Sequence, residues 1–387
     1  MANWFQTSRE PASRTQRLST CELPFDLVFV CAFTHVTEFM AVSHPAIGVL
    51  EAMIMLGFLW WSRASYGWLT NQSSVADGIL RVGMIVAMCA IFVLALAIPS
   101  AFARSPHSLN AELVIGFAYL VVRLVHLGLY VVAAGQDRDL RRQVLRTSLS
   151  MWVAVALIIA GALLVPGTQL WFWLAAIVAD IVLTSVTSTG GNWRLYSASH
   201  WAERHSLVVI LALGESVVAI GSGAADAHLS GPILLGAVLA LLLTTGFWWL
   251  YCDTIAGAAE EKLTAREGTA RVALATDAYT YLHLLLIAGI VISALGVEQV
   301  MHAVGESPVF GLFGACALFG GTSLYLAAHA AFWKRVGGTW KYGRLAGATV
   351  LLALIPVAAL VPLLAALGLV VVVTALVVVA ESVRFRR

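Results

Sequence analysis

The sequence predicts an all-α polytopic membrane protein with about twelve transmembrane helices in two parallel six-helix repeats. Three observations lead there. The chain of 387 residues is 60% hydrophobic and 11% charged, with a mean hydropathy of +0.88, whereas a soluble domain usually carries about 25% charged residues. Apolar runs long enough to cross a bilayer recur from near residue 24 to residue 381. Nearly every basic residue falls in alternate gaps between those runs.

Crossing the hydrocarbon takes roughly 20 apolar residues in a helix, because each backbone amide must be satisfied within the segment. Segments 1 to 6 are expected near 24–42, 45–62, 78–101, 110–134, 148–165 and 170–188. Segments 7 to 12 are expected near 206–222, 231–251, 272–296, 308–333, 345–361 and 363–381. The last two form one apolar run, and only Pro356 and Pro362 mark where it turns back.

Lys and Arg near helix ends stay on the cytoplasmic side. With residues 1–20 as a cytoplasmic tail, 21 of the 23 Lys and Arg fall in cytoplasmic gaps, including Arg63, Arg204 and Arg344. Arg104 lies in an outward gap and Arg123 within segment 4. Both termini are therefore expected in the cytoplasm. The first twenty residues are polar and show no cleavage pattern, so no removable signal peptide is expected. The five cysteines, Cys21, Cys31, Cys89, Cys252 and Cys316, have no ligand-like spacing and read as reduced packing residues. A net charge of +2 without a basic run between aromatics argues against a nucleic-acid partner.

Weak internal likenesses divide the chain into halves at 21–190 and 191–387. Leu27-Val28-Phe29-Val30 can be laid on Leu207-Val208-Val209-Ile210, and Gly57-Phe58-Leu59-Trp60-Trp61 on Gly246-Phe247-Trp248-Trp249. His126 and Tyr130 of segment 4 stand against Tyr325 and His329 of segment 10. An even number of helices per half brings both halves into the membrane from the same side, about an axis along its normal.

Ionisable groups within the apolar runs come in rows. Segment 4 carries Glu112, Tyr119, Arg123, His126 and Tyr130 at helical spacing, so all five share one face, expected to meet segment 1 or segment 7. Segment 1 has Glu22, Asp26 and Thr37 in a stripe, with His35 opposite and Glu38 offset. In segment 7, Arg204 and Glu215 are eleven residues apart, close to three turns, and Gly214 offers room for a neighbouring backbone. Segment 6 adds Asp180, Thr184 and Thr187, and segment 9 adds Asp277, Thr280, Tyr281 and His283.

Two roles fit these rows. Asp26, Asp180 and Glu215 can serve as counter-ions to Arg123 and the histidines, fixing helix register. Alternatively the rows line a hydrated path for an ion or proton. The candidate pathway comprises Asp26, His35, Glu38, Glu112, Arg123, His126, Tyr130, Asp180, Arg204, Glu215, Asp277, His283 and His329. His200, Glu203 and His205 form a weaker candidate for a metal, against a simple interfacial helix start. No phosphate-binding loop, serine triad or kinase signature occurs, and Gly190-Gly191 reads as a loop hinge.

Glu22-Leu-Pro-Phe-Asp-Leu-Val-Phe-Val30, with Glu203-Arg-His-Ser-Leu-Val-Val-Ile-Leu-Ala-Leu-Gly-Glu-Ser216, resembles the bacterial low temperature requirement A family over essentially the whole chain. The departures are Pro24 for an aromatic and Ser206 for a glycine, where Ser206 can cap the start of segment 7. The resemblance implies a multi-helix protein of the bacterial cytoplasmic membrane. More distantly, Asp26-Leu-Val28-Phe29-Val-Cys-Ala32-Phe-Thr34 is similar to the pore-helix opening of the two-repeat endolysosomal potassium-channel family. That likeness implies a conduction path at segments 1 and 7.

The function expected is a channel or transporter for a proton, a cation or a small solute, with no cofactor. The alternative is a membrane-embedded enzyme acting on a lipid or isoprenoid, using the carboxylates as acid and base or a metal at His200, Glu203 and His205. The partners expected are the lipid bilayer and the transported ion or small molecule, with a homodimer left open.

Overall fold

The computed structural model describes residues 22–42, 45–72, 78–102, 109–164, 167–188, 193–225, 228–304 and 309–385. The tail at 1–20, Arg104 and the Gly190-Gly191 hinge lie outside the described residues. Among the described residues there is no strand. The helices are α1 (Glu22–Val42), α2 (Pro45–Gln72), α3 (Gly78–Ala97), α4 (Ala111–Ala134), α5 (Arg138–Leu163), α6 (Gln169–Ser188) and α7 (Ala198–Gly223). They continue with α8 (Gly231–Thr264), α9 (Gly268–Ala303), α10 (Gly311–Gly337), α11 (Tyr342–Ala358) and α12 (Leu363–Phe385). Eleven are long and apolar enough to cross a membrane, and α11 is a shorter apolar helix.

Several helices outrun their apolar cores. α2 continues to Gln72, α5 begins at Arg138, α7 begins at Ala198 and α8 ends at Thr264. Hydropathy falls at the first charged residues, but charged side chains are good helix formers and the backbone ladder continues through them. The start of α5 is fixed by Asp137, whose carboxylate accepts from the backbone N–H of Asp139 and Leu140. Asn110 caps α4 by accepting from Leu113 N–H at 3.0 Å. The start of α7 is capped by Ser197, whose hydroxyl accepts from His200 N–H at 3.2 Å. Ser206 therefore lies inside the helix and caps nothing. The chain turns back between Ala358 and Leu363, with Pro356 inside α11 and Pro362 just before α12.

The longer helices also correct the charge map. Arg63, Arg204 and Arg344 belong to α2, α7 and α11 and are at most 1% exposed. They are thus buried within helices and do not lie in the gaps between them.

The described residues group into two compact units, one within 1–39 and 46–201 and the other within 40–45 and 202–387. In the first, α3 packs on α4, α4 on α5 and α5 on α6. Its interior is aromatic: Phe25, Phe29, Phe58, Tyr66, Tyr119 and Trp173 are all 1% exposed or less. In the second, α9 packs on α10, α10 on α11, and α12 on both α8 and α11. Glycines bring the α9 and α10 backbones into contact. A Cβ at Gly289 would lie 2.6 Å from Tyr325 N, and one at Gly296 would lie 2.5 Å from Leu318 Cα. At Gly214, where a close approach was expected, a Cβ would meet nothing within 4 Å among the described residues.

The end of α2 is tied to the segment before α7. The Asn71 side chain donates to Ser197 O at 2.8 Å and accepts from the backbone N–H of Tyr196 and Ser197. Outward faces are apolar: Val82, Ile85, Val86 and Phe92 on α3 are all exposed, as are Val372, Leu376 and Val379 on α12. Such faces suit a hydrocarbon surround.

Candidate functional site

The row on α4 faces inward as its spacing predicts. Glu112, Tyr119, Arg123 and Tyr130 are buried, and His126 is half-buried beside them. The partners differ from those expected. Arg123 donates through Nη2 to Asp180 Oδ1 of α6 at 3.0 Å and through Nη1 to Ser65 Oγ of α2 at 2.9 Å. Tyr119 Oη donates to Asp180 Oδ2 at 2.7 Å. His126 Nε2 lies 3.1 Å from the Ser65 carbonyl, which can only accept, so that nitrogen carries the hydrogen. Tyr119, Arg123 and His126 of the α4 face thus bond to α2 and α6, with Asp180 as the carboxylate that Arg123 and Tyr119 share. A hydroxyl chain continues from it, with Thr184 Oγ1 donating to Ser150 Oγ at 2.8 Å.

Asp26 has a different cation. Arg63 Nε lies 3.4 Å from Asp26 Oδ1, with the two side chains 1% and 0% exposed. Higher on the same stripe, Glu22 meets His200 Nε2 at 3.1 Å, both fully buried. His35 and Glu38 pair with each other at 3.1 Å and are 23% and 49% exposed, so the structure leaves them outside these buried pairs.

In the second unit, Arg204 and Glu215 of α7 are each 1% exposed. Asp277 faces outward, in an ion pair with Arg335 at 2.9 Å and half exposed. His283 and His329 are fully buried. His329 Nδ1 accepts from Arg344 Nη1. Arg344 also donates through Nε and Nη2 to Glu381 at 2.8 and 2.7 Å, and through Nη2 to Leu250 O at 3.1 Å. Lys341 sits 3.6 Å from the same carboxylate. Tyr251 Oη lies 2.8 Å from His283 Nε2, and Tyr325 Oη donates to Phe247 O at 2.7 Å.

The residues that sequence reasoning missed are Arg63, Arg344, Glu381, Ser65 and Tyr251. Glu381 had one signal: it is an acidic residue at the end of an apolar run where the neighbouring charges are basic.

His200, Glu203 and His205 do not converge. His200 turns to Glu22, Glu203 is exposed, and the His205 ring lies 5.3 Å from that of Tyr279 and 5.2 Å from that of His283. Among the described residues no three His, Cys, Asp or Glu side chains are grouped to hold a metal ion.

Apolar spans closing over buried ion pairs define a multi-pass helical membrane protein. The family described as Bacterial low temperature requirement A protein (LtrA) matches the chain over residues 17–379, and the chain belongs to that family. It is also similar to "Uncharacterized protein RA0937" of Rhizobium meliloti (strain 1021), at 27% identity over 354 residues, covering 87% of this chain and 83% of that protein. No solved structure matches the chain.

Proposed function

We propose that this protein is a channel or transporter that moves an ion or small solute across a bacterial cytoplasmic membrane, with both termini on the cytoplasmic side. The observation that supports the reading most directly is Asp180, 0% exposed within an apolar helix and shared by Arg123 and Tyr119. An ionisable side chain at bilayer depth costs at least about 2.5 kcal/mol, and such groups mark ion and substrate pathways. Asp180 also stands in a longer polar row, with Ser65, Thr184 and Ser150 around it.

Farther along α4 the row ends in orphaned polar atoms. Tyr130 Oη and Trp193 Nε1 are buried without a hydrogen-bond partner among the described residues, and their rings meet edge-on at 5.7 Å. Buried polar atoms of this kind take up water or a ligand. A network that served only helix register would close on itself.

The reading includes two related halves. Phe58 lies against Tyr119 at 5.2 Å in the first unit, and Phe247 lies against Tyr325 at 4.4 Å in the second. In each the tyrosine precedes a buried basic residue by one helical turn, Arg123 or His329.

The test is flux through purified protein in liposomes, for protons, alkali cations and small solutes, across pH and voltage. Asp180→Asn keeps the shape and removes the charge, and it should strongly reduce the flux. Wild-type vesicles that carry none of these would remove the reading and bring forward an enzyme acting on a lipid.

A further inference from the structure

The two faces of α5 differ along their whole length. The inner face is closed within its unit: Met151, Val155 and Ile158 are buried, Gln143 donates to Thr187 O at 2.7 Å, and buried Ser150 accepts from Thr184 at 2.8 Å. The outer face is one continuous stripe. Arg138, Arg142, Leu145, Leu149, Trp152 and Ala156 follow one another at steps of four and three residues, and all six are exposed. Arg141 and Arg146 flank the stripe and are exposed as well.

Helix length fixes where the stripe changes character. The 26 residues of α5, at about 1.5 Å each, make a rod of about 39 Å, against a hydrocarbon layer about 30 Å thick. The far end is apolar through Leu163 and Leu164. The surplus of about 9 Å therefore falls at the other end and carries Arg138, Arg141 and Arg142 into the headgroup layer. Arg146 stands one turn deeper and reaches the same layer along its aliphatic stem. At and below that level the face is apolar, with Leu145, Leu149 and Trp152 58%, 53% and 49% exposed.

Two carboxylates stand among the arginines. Asp137 accepts from the backbone N–H of Asp139 and Leu140, as the helix cap. Asp139 Oδ1 lies 3.7 Å from Arg142 Nη1, with side chains 73% and 67% exposed, and an ion pair so open to water holds its arginine weakly. Four arginines against two aspartates leave residues 137–146 with a net charge of +2. A guanidinium fork matches phosphate oxygens through two parallel hydrogen bonds. A soluble phosphate would use only the upper part of this face, and a wholly apolar partner only the lower. A phospholipid presents phosphate and acyl chain in the same order along the helix.

We propose that the outer face of α5 is a binding site for an anionic phospholipid. Its phosphate is held by Arg141, Arg142 and Arg146, and its acyl chains lie along Leu145, Leu149 and Trp152. In a zwitterionic lipid the headgroup ammonium cancels the phosphate charge, so clustered arginines select the anionic class. The site requires only that α5 spans the bilayer, and it stands independently of the transport reading.

The experiment uses the full chain in phosphatidylcholine vesicles that carry a trace of phosphatidylglycerol with a photoreactive group in one acyl chain. Illumination, digestion and mass spectrometry then locate the lipid on the protein. Adducts should concentrate at residues 145–156. They should exceed those from an equally photoreactive phosphatidylcholine by about fivefold or more, the factor that one arginine contributes near an anionic surface. Arg141→Gln together with Arg142→Gln should remove that excess. Lys262→Gln together with Arg266→Gln takes away the same charge, from exposed residues in the last turn of α8 and just beyond it, and should leave the excess unchanged.

Equal labelling of α5 by the two lipids overturns the proposal. Equal loss in the two double variants also overturns it, because the attraction then belongs to the charged surface as a whole. Glycerol 3-phosphate, added at the concentration of the labelled lipid, should displace none of the adducts; displacement would show that the arginines take a free phosphate and that the acyl chains contribute nothing. If the Arg141, Arg142 variant does not insert, the comparison of the two lipids on wild type carries the same test.

Discussion

Arg123 and Asp180 meet at 3.0 Å across α4 and α6, their side chains 7% and 0% exposed. Both charges have left water, so removing one strands the other, and the loss is large even where the intact pair adds little net stability.

Arg123→Ala should therefore destabilise the protein by about 3–5 kcal/mol, read as a shift in chemical unfolding in detergent. Adding Asp180→Asn should restore part of the loss, whereas adding Asp26→Asn should lower stability further, because Asp26 belongs to Arg63. Additive losses for Arg123 and Asp180 would break the assignment.

The charge cluster at α11 and α12 should behave unevenly. Glu381→Gln removes the carboxylate held by two nitrogens of fully buried Arg344, and a cost of about 3–5 kcal/mol is expected. Lys341, 3.6 Å from the same group and 17% exposed, is partly screened, so Lys341→Ala should cost at most about 1 kcal/mol. Equal losses for the two variants would contradict the geometry.

The contact between α9 and α10 should be intolerant of a single methyl group. Gly296→Ala would place Cβ 2.5 Å from the Leu318 backbone, and overpacking of this kind typically costs about 1–3 kcal/mol. Gly214→Ala meets open space and should be neutral, or stabilising by up to about 1 kcal/mol through helix propensity. Unfolding midpoints of the two variants, measured side by side, check the contrast.

Topology can be read with an impermeant thiol reagent in a chain lacking the native cysteines. Cysteine at Gln136, between α4 and α5, or at Ala265, between α8 and α9, should be labelled only after the membrane is opened. Cysteine at Leu229, between α7 and α8, should be labelled in intact cells. Labelling of position 136 from outside would invert the assignment of both termini.

The helices were legible because a membrane-spanning helix declares itself over some twenty residues of composition. Their ends were not, since α2 runs past Arg63 to Gln72 through residues that hydropathy counts as water-facing. Arg63 and Arg344 look like loop cations in one dimension, and only folding reveals Asp26 and Glu381, each 37 positions away from its arginine. The inward face of α4 was legible because it obeys the helical period, but its partner was not, because period says nothing about which neighbour stands opposite. Tyr251, in the π-helical stretch Trp249–Ala256 of α8, was hidden for a further reason: a widened turn shifts the side-chain phase by one residue and leaves no compositional trace.

Among the described residues, the Asn71 side chain hydrogen-bonds to backbone atoms of Tyr196 and Ser197. The shape of the strand of chain entering α7 is thus dictated from a distance, by an amide more than a hundred positions earlier. These bonds fall on main-chain atoms, so they hold the path of the segment itself, and loss of the asparagine amide would release it.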